Sequence, residues 1–355
     1  MRADVETAGR PAYAGALEAA ARPSATPASA APASARRCGD GSGAFRLTCL
    51  AGLAFLALAL VTACGVEVPR GGVIAPHPPQ GPRVVRRFEP PEVIPADLDL
   101  VVRIDMTRMR AGIGQAATSD LFARAASMDG EDWLRDAMGR ADVVWVALRV
   151  ADILSGDRIL IAEGRLGPSK PDLTHWVPAP SAVKDVVLYD RKSLPPRAGT
   201  ARVVALGDRA LAFVTPVEVA SVDRVLVEGP DEKRGDPSAD GVISADLRAR
   251  RLPPALELRF PAIASIVAGI SRVRATATLV DEGAKIEAEI IARSSGAAER
   301  VLRFLAALRD NVEDARYADA LRAVQLDQVG TIVRLRWVVP AKMILGLLAG
   351  GPPAL

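Results

Sequence analysis

Cysteine is nearly absent from this chain: its 355 residues hold three, Cys38, Cys49 and Cys64, and none follows residue 64. Whatever folds downstream of Cys64 has no disulfide to form and no thiol to use as nucleophile or metal ligand. Histidine is scarcer still. His77 lies between prolines in a stretch that reads as exposed spacer, and His175, beside Trp176, is the one histidine of the expected folded body. Two-histidine metal sites and HExxH chemistry are thereby excluded, and a lone histidine is ordinarily structural. Net charge is small as well. Lys and Arg number 45 against 42 for Asp and Glu, and without residues 1–63 the figures are 39 and 38, with the arginines scattered among acids. Binding a phosphate backbone needs concentrated positive charge, so nucleic acid is not an expected partner. Aromatic residues make up only 4 %, which leaves a core built mainly from Ala, Val and Leu.

Against these absences stands one long uncharged apolar run, LTCLAGLAFLALALVTA from Leu47 to Ala63, with Arg36, Arg37 and Arg46 on its N-terminal side. A basic flank, an Ala/Leu-rich core and small residues at the end are the parts of a secretory signal. The run is 17 residues long, at the lower edge of the roughly 17–25 that span a bilayer as a helix. The tetrad Val61-Thr62-Ala63-Cys64 resembles a bacterial lipobox, with valine where leucine is usual. The resemblance implies cleavage between Ala63 and Cys64 and lipidation of the Cys64 thiol, which becomes the mature amino terminus. Gly65, where an inner-membrane lipoprotein commonly carries aspartate, implies the outer membrane on its periplasmic face. The competing reading is an uncleaved signal anchor. A twin-arginine signal fits less well, because Cys38-Gly39-Asp40 rather than apolar residues follow Arg36-Arg37. Residues 1–46 are rich in Ala, Pro and Ser, too poor in large apolar groups to bury a core, and read as a disordered extension.

Composition divides the remainder. Residues 64–95 are repeatedly broken by proline and glycine and read as a tether with polyproline character. A first lobe, 96–228, opens with Leu98, Leu100, Val102, Ile104 and Met106 alternating with Asp97, Asp99, Val101, Arg103 and Asp105, the pattern of a half-buried strand. Thr118-Ser119-Asp120 predicts a helix start, and 131–140 a second helix. Strands are predicted at 143–150, 158–166 and 185–189, followed by a hairpin of 202–206 and 210–214 turning at Gly207-Asp208 and a helix at 217–227. Residues 229–241, charged and punctuated by Gly and Pro, read as a linker to a second lobe, 242–355.

That lobe is expected to hold a strand at 242–247, a helix at 261–270 and the clearest hairpin in the chain. A two-residue turn at Glu282-Gly283 would pair Leu279 with Ile286, Ala277 with Ala288, Ala275 with Ile290 and Val273 with Ala292, leaving Thr278 opposite Glu287 and Thr276 opposite Glu289 on a solvated face. Ser295 is the expected cap of a helix over 296–310 that carries Val301, Leu305 and Leu308 on one stripe, and a second helix aligns Tyr317, Leu321 and Val324. A strand at 331–339 would turn Val333, Leu335, Trp337 and Val339 inward and Arg334 and Arg336 outward, before a short apolar tail helix at 343–348. Strands grouped as hairpins, with helices in separate runs, predict an α+β fold: antiparallel β-hairpin sheets with helices packed on one face, in two lobes behind a disordered N-terminal region. The opening IPADLDLVVRIDMTRMR, the linker-then-hairpin order and the lipobox together resemble uncharacterised lipoproteins of GC-rich Gram-negative bacteria. That likeness brings no known activity.

No constellation points firmly to chemistry. Gly112-Ile113-Gly114-Gln115-Ala116-Ala117 matches GxGxxA, but it stands several residues after the strand and outside any strand-helix-strand crossover, so it reads as a plain loop. Ser181-Ala182-Val183-Lys184 has SxxK spacing without the SDN or KTG partners, and Pro178 and Pro180 disfavour a helix there. No GxSxG elbow accompanies His175. Asp97, Asp99 and Asp105 share a strand face with Arg103, which reads as a solvated face rather than a calcium site, and Glu313, Asp314 and Asp319 read as surface charge. The expectation is a lipid-anchored, non-enzymatic envelope protein serving interaction or structure, without cofactor or metal, whose partners are the membrane, through the lipid, and an envelope protein. The alternatives are a periplasmic carrier or sensor of an apolar ligand, suggested by the aromatic-poor core, and a hydrolase with an unrecognised site at His175 or Ser181.

Overall fold

The computed structural model describes residues 87–119, 132–151, 157–166, 171–192, 200–230, 237–248, 252–312, 315–341 and 343. The signal run, Ala63, Cys64, the extension 1–46, the tether up to residue 86, Asp120, Glu313, Asp314 and the tail beyond Met343 lie outside them.

Strand β1 (Leu100–Asp105) begins where β-branched and long side chains replace the acidic, proline-bearing approach. Successive residues alternate: Leu100, Val102 and Ile104 enter one core, and Val101 enters another on the opposite face. The strand stops because Asp105 turns into a helix cap, accepting a hydrogen bond from the Arg108 amide at 2.9 Å, and α1 (Met106–Ile113) follows at once. The helix predicted from Thr118-Ser119-Asp120 therefore starts elsewhere. Thr118 lies within a helical run at 115–119, where its hydroxyl donates to the Gly114 carbonyl four residues back instead of capping. Gly114, at φ 86°, supplies the left-handed turn that ends α1.

The remaining elements are α2 (Asp132–Arg140), β2 (Val143–Leu148), β3 (Ile159–Glu163), β4 (Trp176–Ala179), β5 (Val186–Arg191), β6 (Arg202–Leu206), β7 (Ala210–Val214), α3 (Val219–Glu228), β8 (Ile243–Leu247), α4 (Pro254–Arg259), α5 (Pro261–Ala268), β9 (Ile270–Val280), β10 (Gly283–Ala292), α6 (Ser295–Asp310), α7 (Ala315–Arg322), β11 (Gln325–Val329) and β12 (Ile332–Pro340). Single 3-10 turns precede β1 (Pro90–Val93) and α3 (Pro216–Glu218). All twelve strands form one antiparallel sheet in the order β11-β12-β10-β9-β8-β1-β2-β3-β7-β6-β5-β4. The fold is α+β. Among the described residues no helix is long and apolar enough to cross a membrane.

Two predicted lobes turn out to share this sheet, because β8 pairs with β1 from Leu247 opposite Leu100 to Ile243 opposite Ile104. The predicted linker leads from α3 to the sheet centre, and its far end is tied to the first half: Arg108 donates to the carbonyls of Ala239 and Asp240 at 2.8 and 2.7 Å. The tether also ends earlier than residue 95. Phe88, Val93 and Ile94 are buried in the core beneath Ile159 and Ile161, since three large apolar side chains among the prolines gain more by burial than by extension.

Reading across the strands explains where the helices go. On one face the row Leu326, Leu335, Ala288, Ala275, Ala245 and Val102 continues through Val146, Leu160, Phe213, Val203 and Tyr189, apolar from end to end. Leu134 and Met138 of α2, Val301 and Leu305 of α6 and Leu321 of α7 cover it. The neighbouring row on the other face changes character halfway. It runs Gln325, Arg336, Glu287, Thr276, Ser244 and Arg103, then Trp145, Ile161, Ala212, Val204 and Leu188. Val222, Val225 and Leu226 of α3 and the Phe88–Ile94 segment cover only the apolar half. Helices thus lie on one face of the second half, as expected, and on both faces of the first.

The long hairpin keeps its predicted faces but not its register. The turn is Asp281-Glu282, so Leu279 opposes Ala284, Ala277 opposes Ile286, Thr276 opposes Glu287 and Arg274 opposes Glu289. The shift is two residues, which preserves the inward set. Gly283 is drawn from turn into strand by its packing: at φ 148°, any Cβ would collide with the Val339 carbonyl of β12. Ser294 rather than Ser295 caps α6, accepting from the Ala297 amide at 3.2 Å. The pattern did not reveal β4, β11 or α4. The first two are the sheet's edges, where Pro178 and an acid such as Asp327 are tolerated because one side makes no ladder.

Candidate functional site

The residues singled out from sequence are dispersed. His175 is exposed, pairs with Asp172 at 3.3 Å, and follows a turn in which its amide and that of Trp176 donate to the Asp172 carbonyl. That carboxylate is held below its usual range by the Thr174 backbone, with the Thr174 side chain and His175 adding to it. The Ser181 hydroxyl is spent on its own turn, donating to the Val183 carbonyl at 3.0 Å and accepting from its amide at 3.2 Å. Lys184 is exposed, residues 181–184 are not helical, and the turn ends on Asp185 at φ 65°. Gly112 is inside α1, where a Cβ would strike Leu279 of β9; it serves helix-on-sheet approach rather than phosphate binding.

The acids before and at the end of β1 also part company. Asp97 pairs with Arg149 at 2.7 Å, Asp99 accepts from the Val150 amide at 2.7 Å, and Asp105 caps α1 while touching Arg103 at 3.4 Å. Among the described residues no three His, Cys, Asp or Glu side chains gather as a metal site.

Buried charge instead forms separate ion pairs. Glu218, 1 % exposed, takes a two-pronged contact from Arg149, Nε and Nη2 each at 2.9 Å. Burial pushes the Glu218 carboxyl above its ordinary range, against the pull of Arg149; burial likewise works against the Arg149 charge, but the hydrogen bonds it donates to Glu218 and Asp97 outweigh it. Arg202 bridges Asp190 at 2.6 Å and Asp223 at 2.5 Å, and burial raises Asp223. These are saturated pairs that hold elements together.

Two places differ from these pairs. The first is the seam where the second face turns from polar to apolar. Arg103 lies 5.9 Å from the Trp145 ring, whose Nε1 donates to Glu163 at 2.8 Å, and on its other side faces Ser244 across β8. Arg103 Nη1 and Ser244 Oγ are both buried without a hydrogen-bond partner among the described residues. Asp246, two residues along the same face, is engaged by Arg272 at 2.9 Å. Among the described residues the seam offers a guanidinium and a hydroxyl, and the nearby Asp246 carboxylate is engaged by Arg272.

The second place is α4 and α5. No residue from 260 to 271 carries a charge, no residue of α5 is buried, and Leu258 is 86 % exposed. Ile266 and Val267 lean on the core, while Ala262, Ser265 and Ala268 point to solvent. Sequence reasoning predicted the α5 helix and missed its exposure. Its composition gave no such signal, since a helix apolar all round is ordinarily buried.

No family model matches the chain, and no curated protein matches it. Three crystal forms of TP0453 match among solved structures. Form I has a TM-score of 0.43 at 7 % identity, covering 74 % of this chain and 97 % of that one. Form III gives 0.43 at 10 % identity, covering 74 % and 98 %, and form IV 0.41 at 11 %, covering 74 % and 96 %.

Proposed function

We propose that this is a lipid-anchored protein of the bacterial envelope, held on the periplasmic side of the outer membrane by a lipid on Cys64, whose folded body serves interaction or envelope structure rather than catalysis. The observation that carries it is the uncharged run Leu47–Ala63 ending in Val61-Thr62-Ala63-Cys64. The dispersal of His175, Ser181 and the β1 acids into local turns, caps and ion pairs supports the non-catalytic part. Mass spectrometry of the mature amino terminus tests the anchor. Cys64 should be the first residue and carry acyl chains, and Cys64→Ala should abolish that processing. An unmodified terminus, or membrane retention indifferent to Cys64→Ala, overturns the reading.

A further inference from the structure

We propose that α4 and α5 form a second membrane contact, lying in the headgroup region of the bilayer to which the lipid holds the chain; this rests on the anchor reading above. A twelve-residue uncharged stretch whose helix buries none of its residues adjoins Leu258, at 86 % the most exposed large apolar side chain among the described residues, and together they form an unusual use of apolar surface. The ends of α5 carry guanidinium groups. Arg259 lies 5.4 Å from the Phe260 ring, Arg293 donates to the Ala268 carbonyl at 3.1 Å, and Arg300 reaches beside Gly269. Beside them Glu257 accepts from the Leu252 amide and Glu299 pairs with Arg303. An apolar surface rimmed by arginine is complementary to anionic headgroups above acyl chains.

Reach permits the contact. The described body begins at Arg87, and Phe88 lies at the β6–β7 end of the sheet, where its carbonyl accepts from Arg209 at 3.4 Å. Five or six strand spacings, about 25–30 Å, separate that point from β9, which α5 precedes directly. The 22 residues between Cys64 and Arg87 can extend to on the order of 70 Å. A lipid on Cys64 therefore leaves the body free to turn α4 and α5 onto the membrane, where apolar residues of such helices sit roughly 5–10 Å below the surface.

The test uses the mature lipidated chain on phosphatidylethanolamine–phosphatidylglycerol vesicles, with Leu258→Trp as reporter. Trp145, Trp176 and Trp337 are buried and Trp133 is half-buried against the core, and all four are present in wild type, so the emission added over wild type reports residue 258. Co-sedimentation with the vesicles reads the anchor, and quenching by bromine-labelled acyl chains reads docking. Pelleting with loss of most of the added emission is expected, and Ala262→Asp, at another exposed position, should restore that emission while the chain still pellets. Pelleting without quenching overturns the docking and leaves the anchor standing. A blue shift that grows with protein density but not with brominated lipid assigns the face to a second copy and overturns it too. A chain that stays in the supernatant removes the anchor and the docking together.

Discussion

One face of a single sheet behaves as two materials. From Trp145 through Ile161, Ala212, Val204 and Leu188 it is covered by α3 and the Phe88–Ile94 segment; from Arg103 through Ser244, Thr276, Glu287 and Arg336 it is polar. Backbone pairing is continuous across the change, so hydrogen bonding does not distinguish the halves. What differs is whether something apolar lies on top. Charges follow the same division. In the covered half they are few and tightly paired, as Glu218 is with Arg149; in the open half the pair next to the seam, Asp246 with Arg272, is still buried, and farther out they form exposed ladders such as Arg334–Glu289 and Arg336–Glu287, at 3.5 and 3.9 Å.

The largest expected effect tests that contrast in ion pairs. Arg149→Ala leaves a buried carboxylate with its main partner gone and should cost about 3–5 kcal/mol in urea unfolding. Glu218 already has a raised pKa in the folded state, and losing Arg149 raises it further. A raised folded value favours the native state at low pH and penalises it as pH rises. The cost should therefore shrink as pH is lowered toward the ordinary 4.5 of the free carboxyl. A penalty independent of pH would mean that Glu218 is not the group left unpaired. Arg334→Ala, in the exposed ladder, should cost no more than about 1 kcal/mol.

Next in size is the apolar part of the row. Ile161→Ala removes a fully buried side chain from the covered half and should cost about 2–5 kcal/mol, against about 0.5 kcal/mol for Glu287→Ala on the same face. Equal costs would erase the distinction between the halves. The smallest effect falls on the seam itself. Ser244 buries a hydroxyl without a partner, so Ser244→Ala should be neutral or stabilise by about 1 kcal/mol. Clear destabilisation would show that the hydroxyl is used.

Local chemistry carried much of this architecture. The hairpin of β6 and β7 matches its predicted bounds because Gly207 and Asp208 stand between two short apolar runs, and Gly207 takes the left-handed φ of 63°. The inward faces of β9, β10 and β12 were readable because one side of that half is solvated, and alternation is a signal only when the two faces differ. For β1 it was partly misleading. Val101 belonged to the polar-looking set and is buried, since α3 and the Phe88 segment arrive from far along the chain. The hairpin register failed because Gly283 looks like a turn residue and is held in a strand by β12, whose approach no local window contains. His175, Ser181 and the acids each sit in a separate turn, cap or ion pair, while the Arg103–Ser244 seam joins residues 141 positions apart, beyond the reach of any spacing rule.

By itself, then, the sequence determined the class of fold, most element positions, the solvated face of the second half and the apolar run before Cys64, because propensity, alternation and turn chemistry act over a few residues. Tertiary structure alone decided that both halves share one sheet, that the tether's last residues belong to the core, and that α4 and α5 stay uncovered. Those outcomes depend on which surfaces meet, and burial is a property of the neighbour as much as of the residue.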